Sequence, residues 1–596
     1  MTPRSNTKPS VVFIDGILAR PPVPGLCYAR RRMKPAMRMT TLFTVSALLL
    51  GASAAAQDTR PLGDASERDI QPGASHSYTI ALKAGDLVLG SIEQHGVAVL
   101  GTVFLPDGSR LRGLPGPREG KRDFAFIADA AGTYRLELSR ATQAEASQYG
   151  VPFDSKGKYT LKVERTQSLD DRLKPAPKTD KHVSPTIESL RKQLARGEKN
   201  TDAFWKERAR SATPLVEPVE GNKERALVTF LWRGTPATRN VAVLGSFGQR
   251  PIADSTMTRL EGSDVWYLTL DLPSGARFAY SLSPNDPLTT EGPRARHRAA
   301  SLQGDPLNPN RWRCAAEASR YECQSMVELP GAPSQPWIVK NAANPAGTIE
   351  KHRIKSELLK NERNLSVYTP PGYRADGPPA ALLVVFDEGA YLNAVPTPVI
   401  LDNLIAAGKI PPTIAVLIAN PSQAARSSEL PPNPAFADFL ARELLPFVRS
   451  RYSVTTDPRQ TVVAGSSFGG LAATYAGLRY PEIFGNVLCQ SGSFWWAPDH
   501  TPGGDATTET GWLAKEFIKS PKLPLKFWMD AGVFEVDSNG SGGAILEPSR
   551  HMRDVLLAKG YEVHYRQFAA GHDYLNWRGT LADGLLVLIG KTDSQR

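Results

Sequence analysis

Between residues 58 and 165, apolar and polar positions alternate in short runs separated by turn formers. Residues 76–82 alternate and stop at Ala84-Gly85-Asp86, residues 99–105 stop at Pro106-Asp107-Gly108, and residues 124–127, 134–138 and 159–163 continue the pattern. Successive side chains of an extended chain point to opposite faces, so this period predicts short strands, and their regular spacing predicts a β-sandwich over 57–165. Residues 166–215 are charged and contain proline. Their one helical stripe, at 187–196 with Leu190 and Leu194 four apart, predicts a linker with a helix. Further strand-like runs at 226–232, 241–245, 264–270 and 277–282 predict a second sandwich over 216–330, of immunoglobulin-like size.

From 345 to 592 the pattern changes. Residues 381–386 are apolar at every position, as in a strand buried on both faces, and 414–418 repeat this. Strands at 365–368, 461–464, 487–490, 526–529 and 563–566 alternate with helices such as 435–451 and 469–480. Such alternation predicts a mainly parallel, doubly wound sheet. The expected fold is therefore multidomain: two N-terminal all-β sandwiches followed by an α/β domain.

The formal charge of +11 invites a nucleic-acid reading until it is located. Residues 1–56 hold eight Lys or Arg and one Asp, a balance of +7, which leaves 11 − 7 = +4 for the rest. No nucleic-acid partner is expected. The same leader has a basic segment at 33–38, an apolar run at 41–52 and Ala54-Ala55-Ala56. The run is shorter than the roughly 20 residues that span a bilayer. These features predict a secretory signal cleaved near Ala56, translation from Met33, and a periplasmic or secreted protein without stable membrane insertion; an uncleaved N-terminal anchor is the alternative. Cys314 and Cys323 are close enough in sequence to pair in an oxidising compartment, and Cys489, in an apolar strand, is expected as a buried thiol. No Cys/His cluster has zinc-site spacing, so neither metal nor cofactor is expected.

Gly465-Ser466-Ser467-Phe468-Gly469 follows an apolar strand and precedes a helix, which is the setting of a nucleophile elbow. The small neighbours allow a tight turn that places Ser467 at a helix N-terminus, where free amides stabilise a negative oxygen. In this α/β-hydrolase arrangement the acid and then the histidine follow the serine. Of His500, His551, His564 and His572, the last lies in a loop just after a strand and is taken as the general base. Glu535 is preferred as the acid that orients it, with Asp537 and Asp530 as alternatives. The oxyanion donors are expected from the amide of Phe468 and from Gly389 in the loop after 381–386.

The run from Val462 to Leu471, Gln490-Ser491-Gly492-Ser493-Phe494-Trp495-Trp496, Arg426-Ser427-Ser428-Glu429-Leu430, Gly571-His572-Asp573, Asp305-Pro306-Leu307-Asn308-Pro309 and Phe204-Trp205 resemble the enterochelin esterases, an esterase-D-like branch of the α/β-hydrolases. The resemblance covers about 200–592, and 216–330 is similar to that family's N-terminal β domain. It implies hydrolysis of catecholate siderophores such as enterobactin, often iron-bound, with Arg426 meeting an anionic substrate or product. A surface ion pair with Glu429 is the plainer role for Arg426. Trp495 and Trp496 are expected either against catechol rings or in the core. The order Asp387-Glu388-Gly389 departs from the family's usual Asp-Gly-Glu. Residues 57–165 resemble the pre-peptidase C-terminal modules of secreted bacterial hydrolases. Two other functions are carried forward: a secreted feruloyl- or acetyl-type carbohydrate esterase, and a non-catalytic binding protein.

Overall fold

The computed structural model describes residues 59–591, apart from 63–65, 118–119, 149–156, 170–182, 198–199, 249, 289–293, 316–317, 499–510 and 537–543. The signal reading of residues 1–56, His500 and Asp537 lie outside the described residues. Among these residues the chain is multidomain, with five β-sheets.

In the first region Ser75–Leu82, Gly132–Arg140 and Val99–Phe104 pair antiparallel in a five-stranded sheet. Leu87–His95 lies between Lys158–Gln167 and Gly120–Ile127 in a four-stranded one. Tyr78, Val103 and Leu136 of the first sheet share one buried cluster with Ile92, Phe126 and Leu161 of the second. The alternation read from the sequence thus follows from one face of each sheet meeting the other. The second region has two four-stranded sheets, one centred on Asn222–Arg233 and Val265–Pro273, the other on Arg277–Pro284 and Gln324–Glu328. Phe230, Val243, Phe278 and Tyr280 fill the space between them. Among the described residues of this segment the expected helix is Pro185–Ala195, and a further one runs over Asp202–Ser211. Ile187, Leu190 and Trp205 of these helices pack on Leu231, Val265 and Tyr267, so these two helices are docked on the second region.

The C-terminal sheet runs Thr348–Ser356, Asn361–Thr369, Thr413–Ile418, Ala381–Phe386, Thr461–Ser466, Asn486–Gln490, Lys526–Gly532, Glu562–Phe568. The first two strands are antiparallel and the remaining six run parallel. Leu382, Val384 and Phe386 belong to the core on one face, and Ala381, Leu383 and Val385 to that on the other. Burial on both faces is why this strand is apolar throughout. The two end strands carry charged or ionisable residues at alternate positions, Lys351, Arg353 and Lys355 in one and Glu562, His564 and Arg566 in the other. The helix expected over 435–451 passes from Pro434–Phe439 through a π turn, Leu440–Leu444, into Leu445–Arg449. Pro446 has no N–H to donate to residue 442, so the hydrogen-bond ladder widens ahead of it. Cys489 is a buried free thiol, and Cys314 and Cys323, expected as a possible pair, are also free. No helix among the described residues is long and apolar enough to cross a membrane.

Candidate active site

Ser467 stands between the strand Thr461–Ser466 and the helix Phe468–Arg479, with φ 58° and ψ −122°. A non-glycine residue at positive φ is strained and is held there only when its surroundings over-determine it. Here the Ser467 amide donates to the Gln490 carbonyl at 3.0 Å. The turn also needs Gly465: a Cβ there would lie 2.5 Å from the carbonyl carbon of Gly469. The Ser467 hydroxyl lies 3.4 Å from that of Ser493.

His572 follows the strand Glu562–Phe568 and precedes the helix Tyr574–Ile589, which Asp573 caps by accepting from the Leu575 amide at 2.9 Å. Its Nδ1 lies 2.5 Å from Glu535 Oε1, and its ring stands edge-on to Trp577, with centroids 4.8 Å apart. Glu535 is only 7% exposed. Its other oxygen accepts from the Gly532 amide at 2.6 Å and the Ser491 hydroxyl at 2.9 Å. Ser491 is itself held by the Trp577 indole, which donates to it at 3.0 Å. A carboxylate fixed this way holds the proton on Nδ1 and leaves Nε2 as the basic nitrogen.

Ser467, Phe468, Glu535 and His572 line one cavity of about 850 Å³, together with Arg426 and Trp495. Gly245, Ser246, Gly248, Arg313 and Gln324 of the second β region form its other wall.

Several expected positions are corrected. Gly389 does not line the cavity; it lies inside the first turn of the helix Glu388–Asn393, where its carbonyl accepts from Asn393. Trp496 turns away from the cavity to pack perpendicular to Trp512, whereas Trp495 lies 5.8 Å from the Phe468 ring. Arg426 does not pair with Glu429. It makes a two-pronged bond to Asp387, at 2.7 and 2.8 Å, because Glu429 is buried against Arg363 at 2.9 Å. Asp530 lies within its strand, 2% exposed, and its Oδ2 accepts from the Trp528 indole, not from His572. Burial first, and then the nearby Glu535 charge, push its carboxyl up to about 7. His551 is exposed on a helix, and His564 meets Glu562 at 2.9 Å. Ser491, Ser493 and Asp387 are read from the sequence only as parts of motifs, with no role of their own, and Arg313 is not singled out. The first three lie directly after strands of the parallel sheet, which is the signal that would have found them; Arg313 carries no such signal. No group of three or more His, Cys, Asp or Glu residues suited to a metal is present among the described residues.

Two family models match the chain: "Putative esterase" over residues 356–588 and "Enterochelin esterase, N-terminal" over residues 227–338. The iron(III) enterobactin esterase of Dickeya dadantii is 33% identical over 427 residues, covering 66% of this chain and 94% of that relative. The chain belongs to the enterochelin esterase family. Another relative, the iron(III) salmochelin esterase of Escherichia coli, is 30% identical over 68% of this chain and 98% of its own length. Among solved structures, the enterobactin esterase of Shigella flexneri in the presence of enterobactin is 29% identical. It covers 65% of this chain and 97% of its own, with a TM-score of 0.51. The two family-model matches begin at residue 227, after the first β region.

Proposed function

We propose that this enterochelin esterase family member is a serine carboxylic ester hydrolase that opens the ester bonds of catecholate siderophores such as ferric enterobactin. The observation that carries the reading is the His572–Glu535 pair in one cavity with Ser467, in a chain whose relatives are named enterobactin and salmochelin esterases. His572 Nε2 takes the Ser467 proton as Oγ bonds to the ester carbonyl carbon. The Phe468 amide, in the first turn of its helix, faces the oxyanion. The carbon–oxygen bond then breaks and His572 returns the proton to the leaving alkoxide. Water, losing a proton to the same nitrogen, attacks the acyl carbon, and Ser467 leaves reprotonated. Arg426 meets anionic substrate or carboxylate product with the guanidinium face that Asp387 leaves open, and Trp495 packs against a catechol ring. No cofactor takes part.

The finer architecture belongs to the same reading: two β-sandwiches at 57–165 and 216–330, a docked linker between them, and a doubly wound hydrolase sheet at 345–592. Sheet pairs with one shared core each, and helices on both faces of the last sheet, support it. The leader supports export with cleavage near Ala56, which N-terminal sequencing of mature protein checks. Liquid chromatography of ferric enterobactin treated with purified protein tests the activity. Ring-opened products are expected from the wild type and none from Ser467→Ala. Release of ferulate from arabinoxylan with the siderophore untouched would replace the substrate, and an unlabelled Ser467 after fluorophosphonate treatment would remove the enzyme.

A further inference from the structure

The first β region has no assigned role, and its contacts define one. Among the described residues it engages two neighbouring stretches of the second region: Arg320–Glu322, and the helix Arg294–Ser301, whose Ala299 and Ala300 carbonyls accept from Arg112 at 3.4 and 3.2 Å. Arg110 donates to both oxygens of Glu322, one of them at 2.6 Å, and the Gly113 amide donates to the same carboxylate at 3.1 Å. Asp129 accepts from Arg320 at 2.9 Å and from the Tyr321 hydroxyl. The Tyr321 ring packs against the first region's own core. Beside it Ala300, from the helix Arg294–Ser301, joins Leu87 and Leu89 in a buried cluster. A module tethered only by its linker would have no reason to take side chains of another domain into its core.

The gripped stretch leads directly into the catalytic cavity. The next residue after Cys323, Gln324, lines that cavity and begins the strand Gln324–Glu328. This strand pairs with Arg311–Trp312, Trp312 lying opposite Gln324, and Arg313 beyond it lines the cavity as well. Trp312 donates its indole N–H to Asp573 at 3.2 Å, next to the base His572. The histidine loop is close against this region, since a Cβ on Gly571 would lie 1.9 Å from the Ser246 carbonyl oxygen.

We propose that the first β region is a brace: by holding Arg320–Glu322 from behind it fixes Arg313 and Gln324 as the cavity wall that a bulky substrate leans on. A small ester needs only Ser467, His572 and the oxyanion donors, so the brace acts on large substrates alone. The substrate half of this inference rests on the siderophore reading; the mechanical half does not.

Hydrogen–deuterium exchange and kinetics on the full chain test it. In Tyr321→Ala, amides of Gln324–Glu328 should exchange about tenfold faster, since they lose support on one side. The KM for ferric enterobactin should rise by about tenfold, and kcat for p-nitrophenyl acetate should stay within about twofold of wild type. Tyr321→Phe keeps the packing and should give a smaller change of the same kind. Arg110→Glu should weaken the joint, and Arg110→Glu combined with Glu322→Arg should recover part of the loss. Unchanged exchange in Gln324–Glu328 while Ser75–Leu82 loosens, or equal losses of kcat on both esters, would overturn the brace. Wild-type protein that leaves ferric enterobactin intact would instead end the siderophore reading, and the exchange data would still decide the brace.

Discussion

The two β-rich regions before the hydrolase sheet are built alike and used differently. Each has two sheets closing over one apolar core. The second supplies Gly245, Ser246, Gly248, Arg313 and Gln324 to the catalytic cavity, whereas among the described residues the first supplies none. Strand pattern fixes how a region folds. What it does depends on which loops reach reacting groups, and no periodicity records that. The cavity repeats the contrast on a smaller scale: its hydrolase wall carries Ser467, His572 and Glu535, and its β wall carries an arginine, a glutamine and Ser246, whose hydroxyl is engaged by Asp573 and the Ala279 amide.

The sharpest way to break this division is on the hydrolase wall. Ser467→Ala should lower kcat by more than about ten-thousandfold on any ester with the circular dichroism spectrum unchanged, because the proposed mechanism carries the acyl group on Ser467. Glu535→Gln should cost about a thousandfold in kcat by releasing His572 from its tautomer, measured as initial rates on p-nitrophenyl acetate. On the opposite wall, Arg313 sits at φ 53° with its guanidinium 5.7 Å from the Tyr574 ring centroid. Arg313→Gln should raise KM for an anionic substrate by about five- to tenfold, leave kcat alone, and flatten the salt dependence of kcat/KM. A fall in kcat instead would place Arg313 with the reacting groups and erase the contrast.

The effect most remote from the reaction is on stability. Asp530, held at about 7, keeps its proton where an unfolded chain, near 4, has released it. Between those two values the folded state binds more protons, so stability falls as pH rises through that window and levels off above it. Asp530→Asn should remove this slope. Its stability relative to wild type should rise by roughly 3 kcal/mol between pH 5 and pH 8, by urea titration at both values.

Much of this was legible beforehand where one local rule acted alone. The run at 381–386 could only be a strand covered on both sides, and Ser467 followed from a glycine-flanked turn between a strand and a helix. His572 is expected from chain order and loop position and Glu535 from its place beyond the strand end, and the structure pairs the two at 2.5 Å. What stayed hidden depends on three-dimensional choice. Arg426 had two carboxylates within reach, and the pairing was decided by Glu429 being claimed by Arg363. Trp495 and Trp496 are adjacent, and only packing selects the one that faces the cavity. Arg313 and Gln324 come from a distant part of the chain with no motif to mark them.

The charged end strands of the large sheet have a further consequence. Each presents unpaired backbone donors and acceptors on which another chain's strand could add. Any such addition would have to strip water from Lys351, Arg353 and Lys355 at one side, or from Glu562 and Arg566 at the other. Lateral growth of the sheet is thereby discouraged at both margins.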